Sequence, residues 1–564
     1  MEEVGSVRPT SIVQNDFRDS TPISALTKMR VEPWKKWLEK GFASVQPQQA
    51  AQILDGIVNG IPVDFIGDRD QPVHGQNRKV SPEIAAKVTK VIEEDVKNLK
   101  KAGPFDEPPF KNLFISPIGA VPKKNSEKVR VIHNLSFPFY GDSVNTGIRE
   151  VKMSIDSFDK AVEAVVKLGR GCLLIKLDVE AAYKQIAVRP EDWHLLGFKW
   201  LDKYYYERVL PFGLRSSCRL WDVFATALHY MFERHLGIEV VIHYVDDFLF
   251  VVSLSHEDAE SKLKLALELC EELGIPMAGD KTEGPTTSLI FLGLILDTLL
   301  MRASLPQQKL EELKQLAKVW MDKKSASINE LQSLTGVLGF ATKVIRPGRH
   351  FLRRIITQTA VMLKKLKDPR SYKRHTIPAA VKADIAWCVR VAEQWNGVSL
   401  LYEQEWTEST HLLLTTDACK KGYGAVYGNQ WFAGEWPEEI SLRAKRSKMI
   451  SMPFLELYAL VQAAATFAND GGWAGKRIIF KTDCEVNVKN FLSGQSKDPD
   501  SMALLRCLFG IAAKCGFDFR IEHVAGVANT LADILSRDGD CVSFRQAHTS
   551  ANSSPTPIVL ITLE

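Results

Sequence analysis

Two kinds of hydrophobic pattern divide this 564-residue chain. The runs "FISPIGAVPK", "VRVIHNLS", "CLLIKLDVE", "YYYERVLPF" and "VVIHYVDDFLFVV" are short and rich in β-branched and aromatic residues, which predicts strands. Between them "FDKAVEAVVKLG" and "SCRLWDVFATALHYMFERHLG" read as helices. Upstream, "SPEIAAKVTKVIEEDVKNLKKAG" (81–103) predicts an amphipathic helix with Ser81 as N-cap and Pro82 at its first position. Residues 1–75 are punctuated by Pro and Gly, with one helical stretch around "PQQAAQILDGIVNGI". From about Leu305 to Trp395 the pattern is almost wholly helical: "QQKLEELKQLAKVWMDKK" and "INELQSLTGVLGFATKVI" carry apolar residues at i, i+3, i+4 spacing. A second mixed region opens near Trp406 with the strand, turn and strand of "HLLLTTDACKKGYGAVYGNQWFAGEW". The helix "PFLELYALVQAAATFAND", the strand "RIIFKTDCEVNV", further helix and the strand "DFRIEHVAG" follow. Beyond Cys541 the chain is rich in Ser, Thr and Pro and reads as a disordered tail. Strands interleaved with helices imply an α/β or α+β fold.

Composition adds mainly exclusions. At 45% hydrophobic and 25% charged residues the chain is ordinary globular protein, long enough for several domains. Its nine Cys show no CxxC spacing, so they suggest neither a zinc site nor a disulfide framework, and they read as reduced thiols of an intracellular protein. The first 20 residues are polar and mixed in charge, unlike a secretory leader, and no apolar run reaches the roughly 18 residues of a membrane span. An intracellular location, cytoplasmic or nuclear, and no membrane partner are therefore expected. Charge changes the picture more. Residues 302–374 hold 17 Lys and Arg against 5 Asp and Glu, a balance of +12, so the rest of the +4 chain carries −8. A basic block beside acidic flanks suggests a polyanionic partner, although a solvated helical face fits the same pattern.

Acids supply the candidate chemistry. Asp178 ends the apolar run "CLLIKLD", and Asp246 and Asp247 interrupt "VVIHYVDDFLFVV". Charge inside an apolar strand is costly unless something pairs with it. A bend at Asp246 would make a hairpin tip and bring both acids beside Asp178 on a neighbouring strand. Three carboxylates there call for divalent cations, and hard oxygen ligands suit Mg²⁺. Two such ions serve phosphoryl transfer. A second set is Asp417 in "LLLTTDA", Glu456 in "FLELYAL", Asp483 in "IIFKTDCEV" and Asp533 in "NTLADILSR".

Over roughly residues 80–300 the chain resembles a reverse transcriptase. "YVDD" between apolar residues matches that family's signature hairpin, and "KLDVEAAYKQI" its first catalytic motif. "LPFGLRSSCRLW", "GIPMAGDKTE" with "FLGLIL", and "GAVPKKNSEKVRVIHNL" resemble the following motif, the Lys-bearing segment with the primer-grip hairpin, and the fingers. The resemblance implies metal ligation by Asp178, Val179, Asp246 and Asp247, and triphosphate contacts by Lys123 and Arg130. It implies substrate contacts also by Tyr183, Phe212, Gly213 and Lys281. Tyr183 would exclude a ribose 2′-hydroxyl, and Gly213 would let the chain pass close to template or nucleotide. Two positions depart from the pattern: Cys218 stands where related elements often have Pro, and Trp221 where they have Phe. The second acid set is similar to that of ribonuclease H, which implies two further Mg²⁺ on Asp417, Glu456, Asp483 and Asp533. Some members carry a mobile His before the last Asp; here Gly526 stands near that position and His523 lies early in the loop, with no role assigned.

The resemblance thus implies an α+β multidomain protein. Residues 1–75 form an N-terminal extension, 76–300 the fingers and palm of a right-hand polymerase, and 301–405 a helical thumb and connection. Residues 406–540 form a ribonuclease H-like domain, and 541–564 the tail. The palm would be an antiparallel sheet backed by helices. The implied activity is RNA-directed DNA polymerisation with degradation of RNA in the hybrid. Mg²⁺, replaceable by Mn²⁺, would be the cofactor at both centres. RNA template, DNA primer, RNA–DNA hybrid and deoxynucleoside triphosphates would be the partners, and the basic block, including Arg346, Arg349, Arg353 and Arg354, would hold backbone phosphates. "SPIGAVPKKNSEKVRVIHNLS", "GDSVNTGI" and "LQSLTGVLGFATKVIRPGRHFLRRI" look most like the DIRS and Ngaro retrotransposons, implying a tyrosine recombinase and a Gag-like protein of the same element as further partners. The alternative is a domesticated, non-catalytic nucleic-acid-binding protein; such a relic could lose the acids, and none of those expected is missing.

Overall fold

The computed structural model describes the chain except residues 1–18, 123–128, 345–347, 365–373, 396–405, 409–413, 439, 442–450, 469–471, 494–495, 497, 524–529, 538–543, 545–554, 560 and 562–564, together with some side chains between 348 and 408. The fold is α+β, and the chain divides into two compact units, residues 1–289 and 290–564.

The first unit starts with helices α1 (Val31–Glu39), α2 (Phe42–Val45), α3 (Pro47–Asn59) and α4 (Pro82–Lys97). Strands β1 (Lys101–Phe105), β2 (Ile118–Pro122) and β3 (Val129–His133) lead to α5 (Phe158–Leu168) and β4 (Leu173–Asp178). β5 (Gly197–Trp200), β6 (Lys203–Glu207), α6 (Ser217–Arg234), β7 (Val240–Tyr244), β8 (Asp247–Val252), α7 (His256–Leu273) and β9 (Glu283–Thr286) complete it. The central sheet has the order β7-β8-β4-β9 with every pair antiparallel. Phe248–Val252 of β8 are all buried, as in a strand covered on both faces, and α5, α6 and α7 pack against this sheet. This is the helix-backed antiparallel sheet expected of residues 76–300. β2 and β3 form a separate hairpin, and β1-β6-β5 a second antiparallel sheet.

In the first unit two elements differ from the sequence expectation. The helix predicted over 81–103 keeps its Ser81 cap and Pro82 start but ends at Lys97, and Lys101 opens β1 instead. Lys101 pairs in register with Glu207 of β6, and its buried ammonium bonds both Glu207 oxygens at 2.5 and 2.6 Å and reaches Asp95 at 3.2 Å. That buried tertiary ion pair overrides the local helical pattern. The described residues before 75, expected to hold one helical stretch, form three α-helices, and Leu26, Trp34, Leu38, Phe42, Ile53 and Ile57 join the same core as Ile175 and Phe250. Trp34 packs edge-on against Phe224 of α6 at 5.6 Å.

The chain passes into the second unit within β10 (Ser288–Phe291), and β11 (Leu294–Asp297), β12 (Arg302–Ser304), α8 (Gln307–Asp322), β13 (Ser325–Ala326) and α9 (Ile328–Ala341) follow. α10 (Gly348–Lys364), β14 (His375–Thr376) and α11 (Ala379–Trp395) follow, so this stretch is nearly all helix, as the periodicity predicts. α9 starts at a reciprocal cap between Ser327 and Glu330. Then come β15 (Trp406–Glu408), β16 (Leu414–Ala418), β17 (Gly422–Tyr427), β18 (Gln430–Glu435), β19 (Arg477–Thr482) and β20 (Asp518–His523). β16-β17-β18 is an antiparallel meander; β15-β19-β20 is parallel. Helices Met452–Phe467, Glu485–Ser493, Pro499–Cys515 and Thr530–Arg537 accompany them. In the stretch expected to be a disordered tail, the described residues are packed: Phe544 is buried against Trp431, and Thr556 donates to the Trp431 carbonyl at 2.8 Å. Among the described residues no helix is long and apolar enough to cross a membrane.

Candidate active sites

The first acid cluster is made by strand register. Asp178, last residue of β4, stands opposite Asp247, first residue of β8, while Asp247 also stands opposite Tyr244 of β7. The β7–β8 turn is therefore only Val245 and Asp246, and all three carboxylates come to one end of the sheet. Val245 has φ +59°. A tight hairpin turn with positive φ at its first central position normally takes Gly, and a β-branched residue there is strained by about 1–3 kcal/mol. Two hydrogen bonds hold the turn. The Trp221 indole N–H donates to the Val245 carbonyl at 2.8 Å, and the Val179 N–H donates to the Asp246 carbonyl at 3.1 Å. Trp221, one of the two departures from the family pattern, thus brings a donor that Phe lacks.

Electrostatics at this corner favour a cation. Asp178 is buried, and the Lys281 ammonium bonds it at 2.7 Å. Burial, then the charges of Asp246 and Asp178, push the Asp247 carboxyl up to about 7. Burial and Asp178 raise Asp246 as well. Three converging carboxylates with one ammonium between them are a set of hard oxygen donors, which fits Mg²⁺. Val179 has a hydrocarbon side chain, here buried, so its backbone carbonyl is the one oxygen it can offer as a ligand.

The substrate candidates meet beside the acids. Tyr183 lies on the short 3₁₀ turn Ala182–Gln185 and packs on Phe212 with ring centroids 5.2 Å apart. Burial, then a hydrogen bond with Cys218, raises the Tyr183 hydroxyl far above its ordinary range. The Arg130 guanidinium lies 4.9 Å from the centre of the Phe212 ring, so Arg130, Phe212 and Tyr183 form a continuous line. Gly213 has φ +107°, and a Cβ there would meet the His133 carbonyl oxygen at 1.9 Å; the close approach it permits is to β3. Lys123 lies outside the described residues.

The second cluster comes from two strands and two helices. Asp417 is in β16 opposite Gly424 of β17, and Asp483 directly follows β19. Glu456 is on helix Met452–Phe467 and Asp533 on helix Thr530–Arg537. Burial, then the charges of Asp417, Asp483 and Asp533, push Glu456 up to about 8, so all four acids act on one another. Ser536 donates to Asp417 at 2.5 Å, and Arg537 pairs with Asp533 at 2.6 Å. Gly424 makes this proximity possible: a Cβ there would lie 2.4 Å from the Leu535 side chain. Sequence reasoning passed over Ser536 and Gly424; the helix-to-strand contact that uses them leaves no local signal. These oxygen donors also fit Mg²⁺. His523 is exposed at the end of β20, and Gly526 lies outside the described residues.

In the basic block, Lys323 and Arg374 both pair with Glu330, and Lys309 and Lys343 approach the Phe340 ring at 3.8 and 5.8 Å. Arg346 and the side chains of Arg349, Arg353 and Arg354 lie outside the described residues.

Residues 121–296 match the family described as reverse transcriptase (RNA-dependent DNA polymerase). The chain is 24% identical over 433 residues to Polyprotein P3 of Commelina yellow mottle virus, covering 75% of this chain and 20% of that protein. It is 22% identical over 368 residues to the Enzymatic polyprotein of Carnation etched ring virus, covering 64% of this chain and 50% of that protein. The chain therefore spans half or less of these relatives' length. A foamy viral protease-reverse transcriptase solved in complex with double-stranded DNA is similar with TM-score 0.49 and 13% identity, covering 92% of this chain and 84% of that one.

Proposed function

We propose that this chain, whose residues 121–296 match the reverse transcriptase family, is an RNA-directed DNA polymerase with a ribonuclease H centre in its second unit. The observation that carries the reading is the register of Asp178 against Asp247, with Asp246 in the adjoining turn. It sets a three-carboxylate corner inside the segment that matches the family.

In this reading Asp178, Asp246 and the Val179 carbonyl hold Mg²⁺, with Asp247 supporting, and Asp417, Glu456, Asp483 and Asp533 hold it in the second unit. Bound at these centres, the ions neutralise the attacking and leaving oxygens of phosphoryl transfer. The chain's own groups supply binding and positioning. Arg130 offers a planar fork of donors to a triphosphate, and Lys123 an ammonium. Tyr183, braced by Phe212 and Cys218, presents a fixed ring to the sugar and excludes a 2′-hydroxyl. Lys281 balances Asp178. Ser536 orients Asp417, and Arg537 restrains Asp533. Residues 76–300 then act as fingers and palm, 301–405 as thumb and connection, and 406–540 as the nuclease domain. The basic block tracks phosphates of primer–template or hybrid. The DIRS and Ngaro motifs quoted above support a retrotransposon source, with a recombinase and a Gag-like protein as partners.

The deciding experiment is extension of a DNA primer on an RNA template with deoxynucleoside triphosphates and Mg²⁺. Wild type should extend and Asp246→Asn should not. A folded wild-type protein that binds primer–template without extending it would refute the proposal and favour a binding protein.

A further inference from the structure

Apart from the seven acids, the first unit holds another cluster of ligand-type side chains. His229 of α6 and His243 of β7 bring their Nδ1 atoms within 2.8 Å of each other, with the rings inclined at 80°. The other nitrogen of each ring faces a carboxylate: His229 Nε2 lies 3.4 Å from Glu233, and His243 Nε2 lies 3.3 Å from Asp222. Asp156, just before α5, completes the group, and one ligand atom from each of Asp156, His229 and His243 lies within 4.8 Å of the others. The Asp156 carboxylate also accepts from the His243 backbone N–H at 3.2 Å and from Lys160 at 2.5 Å. A cavity of about 570 Å³ opens here, lined also by Thr226, Tyr230, Glu233 and Arg234.

The two carboxylates decide what the histidines can do. A carboxylate beside Nε2 keeps the ring proton on that nitrogen. With both rings neutral the two Nδ1 atoms carry bare lone pairs, and an approach of 2.8 Å then requires a proton or a metal ion between them. We propose that Asp156, His229 and His243 form a zinc-class metal site, with Asp222 and Glu233 orienting the two imidazoles. Two imidazoles and a carboxylate select a transition ion over Mg²⁺. Tetrahedral zinc, with Zn–N near 2.0–2.1 Å, spaces its ligand atoms by about 3.3 Å, so the rings need separate by only about 0.5 Å. Water from the cavity takes the fourth position. The role is structural. His243 stands two residues before the Val245–Asp246 turn, and α6 carries both His229 and the Trp221 that holds that turn. The ion ties β7, α6 and the entry to α5 together beside the candidate catalytic corner.

The test uses the whole chain, stripped with a chelator and titrated with Co²⁺ in excess Mg²⁺, which saturates the oxygen-only sites. Wild type should bind one Co²⁺ with visible bands of tetrahedral ligation, and Zn²⁺ should displace it. His229→Gln and His243→Gln should each weaken binding by about 10-fold or more, and Asp222→Asn by about 10–100-fold. Absence of a stoichiometric wild-type band, or Gln variants that bind like wild type, would mean that the pair shares a proton instead. If the variants do not fold, the X-ray absorption edge of zinc-loaded wild type decides: imidazole scattering supports the site, and an oxygen-only shell overturns it. No arm reads DNA synthesis, so the outcome is independent of the proposed function.

Discussion

At the scale of single residues, the chemistry depends on how a few side chains are held. Trp221→Phe removes the donor on the Val245 carbonyl but keeps an aromatic ring in the core. It should cost about 1 kcal/mol of stability, and the loosened turn should lower kcat for extension more than it changes KM for nucleotide. Equal kcat in a folded variant would mean that the Val179 bond holds the turn alone. Proton linkage gives a second test. Asp247 and Glu456 stand at about 7 and about 8 in the fold, well above the ordinary carboxylate range. At these two carboxyls the folded chain therefore binds more protons than the unfolded one, and without metal their contribution to stability should fall as pH rises from about 4 through about 8, whereas buried His133, pushed down to about 3, contributes in the opposite direction below about 6.5. Mg²⁺ should restore stability at the upper end and release protons on binding near pH 7. Melting curves with chelator or Mg²⁺, and binding calorimetry in buffers of different ionisation enthalpy, measure both; no proton release would remove these acids from the metal sites.

Elements meet at points where one atom decides the distance. Gly424→Ala pushes a methyl group into Leu535 and moves helix Thr530–Arg537 away from β17, taking Asp533 from Asp417. The expected cost is about 1–3 kcal/mol, with hybrid cleavage reduced and primer extension kept. Cleavage at the wild-type rate would show that the helix does not position Asp533 for catalysis. In the first unit, Lys101→Ala leaves Glu207 as a buried charge without its ammonium and Asp95 with Lys184 alone, which should cost about 3–5 kcal/mol in urea unfolding. This residue also explains why the helix over 81–103 was only partly legible. The local pattern continues past Lys97, but Lys101 is recruited across the fold by Glu207, a partner 106 positions away.

Over the whole molecule, the two acid clusters belong to different compact units, so their activities should separate. Asp246→Asn should abolish extension and keep hybrid cleavage, and Asp483→Asn should do the reverse; loss of both activities from either change in a folded protein would refute the two-centre assignment. Part of the +12 basic block is already committed to Glu330 and Phe340. The salt dependence of primer–template binding should therefore reflect fewer phosphate contacts than that balance suggests. A log–log slope matching the full excess would show that these pairs open on binding.

The sequence by itself determined the element types, the α+β class and the identity of the candidate acids. Apolar periodicity sets strand or helix locally, and an Asp inside an apolar strand is costly wherever the strand ends up. It also contained the stretch 121–296 that matches the reverse transcriptase family model. Tertiary structure decided what depends on distant partners. The Val245 turn relies on an indole 24 positions upstream, Gly424 is needed because a helix beyond residue 530 lies on it, and the N-terminal helices are core because Trp34 meets Phe224. The histidine pair is the clearest case. His229 and His243 are ordinary positions in a helix and a strand, and only the packing of α6 on β7 brings their Nδ1 atoms together. Local propensity is encoded within a few residues, whereas a site is a convergence of side chains from separate elements, and that convergence exists only once the core has closed around it.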